Sequence, residues 1–96
     1  MEVGVYMEEI KMMSNVGYYI GKKAKLNEFE VLRLLELIKY GQYNDFLNHI
    51  LPIAKSVEVP IPDQIYKYDY DTFETYIHAL CEGFIKSYSN LNAKVY

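Results

Sequence analysis

Asn27-Glu28-Phe29-Glu30-Val31-Leu32-Arg33-Leu34-Leu35-Glu36-Leu37-Ile38-Lys39-Tyr40-Gly41 is the stretch on which the fold class turns. Asn27 is a good N-cap, with Glu30 three residues on as an imperfect capping box, and Gly41 supplies a left-handed stop after Tyr40. At about 100° per residue, Val31, Leu34, Leu35, Leu37 and Ile38 fall on one arc and Glu30, Arg33, Glu36 and Lys39 on the other. The pattern predicts an amphipathic helix. Phe29 and Leu32 sit inside the polar arc, which leaves two readings: a central helix covered on both sides, or a docking surface for another subunit.

The flanks read the same way. Upstream, from about Val3 to Lys22, Val5, Tyr6, Ile10, Met13, Val16 and Ile20 share one side, and Glu8, Lys11, Asn15 and Lys22 lie opposite. Gly21 and the cations Lys22, Lys23 and Lys25 mark the end of that helix, where its dipole favours positive charge. Downstream, Asn44 is placed as the cap of a third helix from Asp45 to Ser56, with Phe46, Leu47, Ile50, Leu51, Ile53 and Ala54 inward. Pro52 inside it predicts a kink or an early end near Leu51. Val57 to Pro62 reads as an extended connector, because each proline biases its predecessor away from helix. Residues Asp63 to Asp71 have room for one short turn of helix. Asp71 is then placed as N-cap, with Glu74 at the third helical position, of a last helix to about Ser89. Its apolar arc is Phe73, Tyr76, Ile77, Leu80, Phe84 and Tyr88, and its polar arc Glu74, Thr75, His78, Glu82 and Lys86. The expectation is an all-α protein, a small bundle of four to five helices, with residues 1–89 as one domain and 90–96 as a frayed tail.

Ninety-six residues leave no room for a second lobe. The 51% hydrophobic and 24% charged content is that of a chain that folds, yet so small a domain leaves some apolar surface for a partner. A net charge of -3 is the wrong sign for finding nucleic acid alone by long-range attraction, so any such contact must be local or shared with partners. Eleven tyrosines suit a protein interface, since each ring adds amphipathic area at low entropic cost. One cysteine, Cys81, excludes an internal disulfide. The opening residues lack a basic region followed by an apolar run, and no stretch nears about 18 uninterrupted apolar residues, so a cytoplasmic protein without a membrane anchor is expected.

Motifs for chemistry are sparse. There is no Gly-rich phosphate loop, HExxH, calcium loop or nucleophile elbow. Glu74, His78 and Glu82 stand at successive i,i+4 positions near Cys81, but they lie on the polar arc and read as a solvated face with a Glu82 to Lys86 pair. Cys81, at the edge of the apolar arc, reads as a small buried hydrophobe. His49 lacks a ligand at helical spacing, and Asp63, Asp69 and Asp71 read as loop or capping residues. No catalytic residue, metal site or cofactor is assigned, and the expectation is a protein that is not an enzyme. The basic residues say more: Lys11, Asn15, Tyr18 and Lys22 form a stripe on the first helix where donors alternate with a ring, continued by Lys23 and Lys25. The competing reading is an ordinary wet helix face.

The order of these features resembles the C-terminal helical region of the large subunit of type I CRISPR effector complexes, the I-B kind in particular. The resemblance rests on Gly17-Tyr18-Tyr19-Ile20-Gly21-Lys22, the Leu-rich helix from Phe29 to Tyr40, Gly41-Gln42, Phe46-Leu47, Pro60-Ile61-Pro62 and Thr72-Phe73-Glu74-Thr75, and it covers roughly residues 15–86. In that family the region is also made separately as a small subunit, present in more than one copy beside the guide duplex. The resemblance implies a non-catalytic small subunit of a Cascade complex that supports binding of guide RNA, target DNA and the displaced strand. Its implied partners are the CRISPR backbone and large subunits, guide RNA, target DNA and other copies of itself. Taken with the stripe and the out-of-place apolar residues, it leads to the expectation of nucleic-acid contacts at Lys11, Asn15, Tyr18, Lys22, Lys23, Lys25 and Arg33, and subunit contacts at Phe29, Leu32 and Glu36. Reading of the protospacer-adjacent motif, which belongs to the N-terminal region of the large subunit, does not carry over. The alternative from the residues alone is a helical adaptor or inhibitor of phage, plasmid or antitoxin type that covers a partner surface.

Overall fold

The computed structural model describes the backbone of residues 3–67 and 69–95, and the side chains of residues 7–63, 65–66 and 69–88. The expected all-α bundle is what forms: α1 (Val3–Lys23), α2 (Glu28–Lys39), α3 (Tyr43–Ser56), the single turn α4 (Gln64–Lys67) and α5 (Tyr70–Val95). Val5 and Tyr6, expected on the inner side of α1, lie outside the described side chains. One core joins the elements: Met13 and Ile20 from α1, Leu34 from α2, Phe46, Leu47, Ile50 and Ala54 from α3, Ile65 from α4, and Tyr76, Ile77, Leu80 and Phe84 from α5.

The cap of α2 forms as its sequence requires. The Glu30 N–H donates to Asn27 Oδ1 at 2.9 Å and the Asn27 N–H to Glu30 Oε1 at 3.3 Å, closing the capping box. At the other end Gly41 has φ 71°, with Gly41 N–H bonded to the Ile38 carbonyl and Gln42 N–H to the Leu37 carbonyl. That is a Schellman stop, which accepts glycine without steric penalty.

Four expectations of detail are corrected. Helix α3 starts at Tyr43 after Gln42, so Asn44 lies inside the first turn and is not its cap. The helix also passes through Pro52 to Ser56 and does not end near Leu51. Proline costs only the bond that the Asn48 carbonyl would have accepted, and buried Ile50 and Ala54 on either side hold the turn closed. The cap of α5 is Asp69, not Asp71: its Oδ1 accepts the Thr72 N–H at 3.0 Å, which also holds the Asp69 carboxyl below the usual carboxylate range. Lastly, α5 continues through Val95 and does not end near Ser89, and Tyr96 lies outside the described residues.

Val57 and Glu58 are a second Schellman stop, with Val59 N–H bonded to the Ala54 carbonyl at 3.0 Å, so the extended connector begins only at Val59. Here the left-handed position is filled by Glu58, at φ 61°, whose Cβ crowds the following carbonyl. Glu58→Gly is therefore expected to raise the unfolding free energy by about 1 kcal/mol, less whatever glycine adds to unfolded-chain entropy. An unchanged urea midpoint would show that the turn carries no strain.

Helices α1 and α5 make the principal contact of the molecule. They run parallel: Glu9 meets Tyr76, Ser14 meets Gly83, Gly17 meets Leu80 and Phe84, and Gly21 meets Ser87. The approach is backbone to backbone. A Cβ on Gly17 would lie 1.9 Å from the Leu80 carbonyl oxygen, and one on Gly83 would lie 1.8 Å from that of Ser14. Gly17-x-x-x-Gly21 on one helix and Gly83 on the other thus form a small-residue seam, with the Tyr76 hydroxyl donating to Glu9 at its edge.

Candidate interaction surfaces

The core residues leave no chemistry exposed. Cys81 is 3% exposed, and burial pushes its thiol up to about 12, the small buried hydrophobe expected. Native protein is predicted to resist Ellman's reagent at pH 8 and to react at once in denaturant. Because the unfolded thiol ionises near 9 and the folded one near 12, the unfolded state holds fewer protons between those values, and stability falls as pH rises through that window. His78 packs against the Tyr43 ring with centroids 4.7 Å apart, and Glu74 accepts a bond from the Tyr70 hydroxyl at 3.3 Å. Among the described residues no cluster of three His, Cys, Asp or Glu side chains is arranged to hold a metal ion. Among the same residues no helix is long and apolar enough to cross a membrane.

The residues expected at contacts fall on two surfaces, on different helices. The first is α2. Phe29 is 84% exposed and Leu32 57%, so of the two readings the covered helix is excluded within this chain. Their positions follow from the wheel: Leu34 is the buried residue of α2, and Phe29, Leu32, Arg33, Glu36 and Tyr40 are all on the side turned from it. Together with Leu35 and Lys39 they line a shallow groove of about 620 Å³. All three residues expected at a partner contact, Phe29, Leu32 and Glu36, are therefore brought together. Leu35, Lys39 and Tyr40 complete the groove, and Lys39 Nζ lies over the Tyr40 ring at 5.6 Å from its centroid. Tyr40 was hidden in the sequence by its place beside the helix stop.

Arg33 belongs to this groove and not to the basic stripe of α1. Its Nε donates to His49 Nε2 at 3.4 Å, and His49 Nδ1 pairs with the Asp45 carbonyl at 2.9 Å. With Nδ1 protonated the neutral ring satisfies both bonds, so His49 ties α2 to α3 in a structural role.

The second surface is α1. Lys11, Asn15, Lys22 and Lys23 are exposed along it, Lys25 follows its end, and half-buried Tyr18 has the Lys22 ammonium 5.7 Å from its ring centroid. The stripe is not uniformly polar. Lys11 and Asn15 share a hollow of about 520 Å³ with Met12, Tyr19, Val59 and Pro60, so its first half runs beside the connector while Tyr18 and Lys22 lie outside that hollow. Tyr19 is 54% exposed, and nothing in the wheel marked it, because it stands at the boundary between the two arcs. The seam glycines were also missed, although the Gly-x-x-x-Gly spacing at 17 and 21 was legible as a close-packing signal.

Comparison with known protein families, curated proteins and solved structures finds no match to this chain.

Proposed function

We propose that this protein is a non-catalytic subunit of a nucleic-acid-bound assembly, of the kind played by the small subunit of a type I CRISPR effector complex. The observation that carries the reading is the pair of surfaces on separate helices: a groove on α2 lined by Phe29, Leu32, Leu35 and Tyr40 with Arg33, Glu36 and Lys39, and a lysine-tyrosine stripe on α1. A chain of net charge -3 does not concentrate nucleic acid by its overall field, but a partner docked on α2 can hold the strand against Lys11, Asn15, Tyr18, Lys22, Lys23 and Lys25. Backbone phosphates and stacked bases are what such a stripe recognises, while the guide supplies the sequence. The partners are then other copies of this chain, the backbone and large subunits, guide RNA and target DNA, in the cytoplasm. The α2 groove equally favours an adaptor or inhibitor that covers a partner protein and needs no nucleic acid.

Purifying the tagged chain from its native cells separates the two. Repeat-containing guide RNA with CRISPR backbone subunits is the expected result, whereas one protein partner without RNA favours the adaptor and retires the stripe. Within the complex, Lys22→Glu with Lys23→Glu is expected to weaken DNA binding and to reduce the salt slope by about 1 for each phosphate that a lysine no longer neutralises. An unchanged slope removes both lysines from the interface.

A further inference from the structure

We infer that the α2 groove is built for a second copy of this chain, docked antiparallel about a two-fold axis that passes between Leu34 and Leu35. The inference deepens the reading of α2 as a docking surface and rests on it. Phe29, Arg33, Glu36 and Tyr40 follow the i, i+4, i+7, i+11 spacing of a single stripe, and all four are exposed. Phe29 and Tyr40 share one midpoint, and Arg33 and Glu36 share the same one. A helix reversed about that point sets Phe29 against Tyr40 of the second copy and Arg33 against Glu36 of the second copy, and the symmetry repeats both pairs. The stripe is thus complementary to itself in both shape and charge: ring to ring at the ends, cation to anion in the middle.

Within the chain these groups are only partly engaged, Tyr40 by the Lys39 ammonium over its ring and Arg33 by His49. Among the described residues Arg33 and Glu36 have no ion-pair partner, and the Arg33 bond to His49 uses Nε and leaves its two terminal nitrogens for a carboxylate. The size of the surface sets the strength. With twelve residues, α2 is about 18 Å long, and its exposed aromatics and leucine supply far less than the roughly 800 Å² per partner of a stable complex. The dimer is therefore weak, with a Kd on the order of 100 µM, and forms where copies are held close together.

Sedimentation equilibrium on the whole purified chain, from about 10 µM to 1 mM, is expected to show monomer and dimer in exchange. Arg33→Glu alone and Glu36→Arg alone should each weaken self-association at least about tenfold, since each sets like charges across the axis. The decisive sample is their equimolar mixture: one copy then carries two acidic and the other two basic groups, and a heterodimer should form. Phe29→Ser, at an exposed position, should weaken the dimer without changing the circular dichroism. A parent chain monomeric throughout, an Arg33→Glu chain that dimerises like the parent, or a mixture that stays monomeric would each overturn the pairing. A chain that is monomeric alone yet brings down CRISPR subunits would overturn the self-pairing and leave the proposed function standing.

Discussion

Gly83→Ala is expected to lower the unfolding free energy by about 3 kcal/mol, although alanine is the better helix former by about 1 kcal/mol. The sign decides the matter. On intrinsic propensity alone the variant would be more stable, and only the close approach of α1 makes it less so. The new Cβ would sit 1.8 Å from the Ser14 carbonyl oxygen and 3.0 Å from the Tyr18 nitrogen. Both are backbone atoms, so no side-chain rotation relieves the clash and the helices must separate along the seam. For a chain of this size that loss corresponds to a fall in Tm of roughly 12–24 °C. Gly17→Ala meets the Leu80 carbonyl oxygen at 1.9 Å and should behave alike, and the double variant should cost less than the two losses added, because helices already separated accept the second methyl. Gly21→Ala is the informative contrast. Its Cβ meets Ser87 Oγ at 1.8 Å and Ser87 Cβ at 2.6 Å, so adding Ser87→Gly should recover much of the loss. Urea titrations followed by circular dichroism read all five, and a Gly83→Ala chain as stable as the parent would show that α1 and α5 do not approach this closely.

Phe46→Ala should be comparably severe, at about 3–5 kcal/mol, by a different mechanism. The Phe46 side chain is fully buried, and its ring meets that of Phe84 edge to face with centroids 5.7 Å apart. Phe84 in turn contacts Tyr88 at 5.2 Å, so Phe46 joins α3 to a run of aromatic rings on α5. Its removal leaves a cavity that α3 can fill only by shifting along α5. Against a total stability of the order of 5–10 kcal/mol, such a loss leaves little of the folded state at 37 °C. Phe46→Leu keeps most of the volume and should cost less than about 1.5 kcal/mol. Native-state hydrogen exchange would locate the damage: α2 and α3 should lose protection before the α1 and α5 seam does. A Phe46→Ala chain that loses less than about 1 kcal/mol would show that the ring contact is not what holds α3.

Local signals account for most of the architecture. The capping box at Asn27 and Glu30 and the glycine stop at Gly41 form as the residues dictate, because both are satisfied within a few residues of backbone. Where two caps of similar quality stood close together, the sequence was ambiguous: Asp69 and Asp71 both fit, and only the course of the chain from α4 selected Asp69. Pro52 shows the opposite limit, since an unfavourable local residue was carried through by the packing of Ile50 and Ala54. The candidate surfaces divide in the same way. The out-of-place apolar residues Phe29 and Leu32 were visible on the wheel, but whether another element covers them depends on which helices pack together.

The sequence by itself determined that this protein is helical, where its helices lie except for the far end of α5, and which side of each is apolar. These are consequences of hydrogen bonds and side-chain periodicity that act over one or two turns. The tertiary structure alone decided that α1 and α5 run parallel on a glycine seam, that Arg33 joins the α2 groove and not the α1 stripe, and that the Phe29 face stays open. Those outcomes depend on contacts between residues far apart in the chain, where shape complementarity selects among partners that the apolar pattern leaves equivalent.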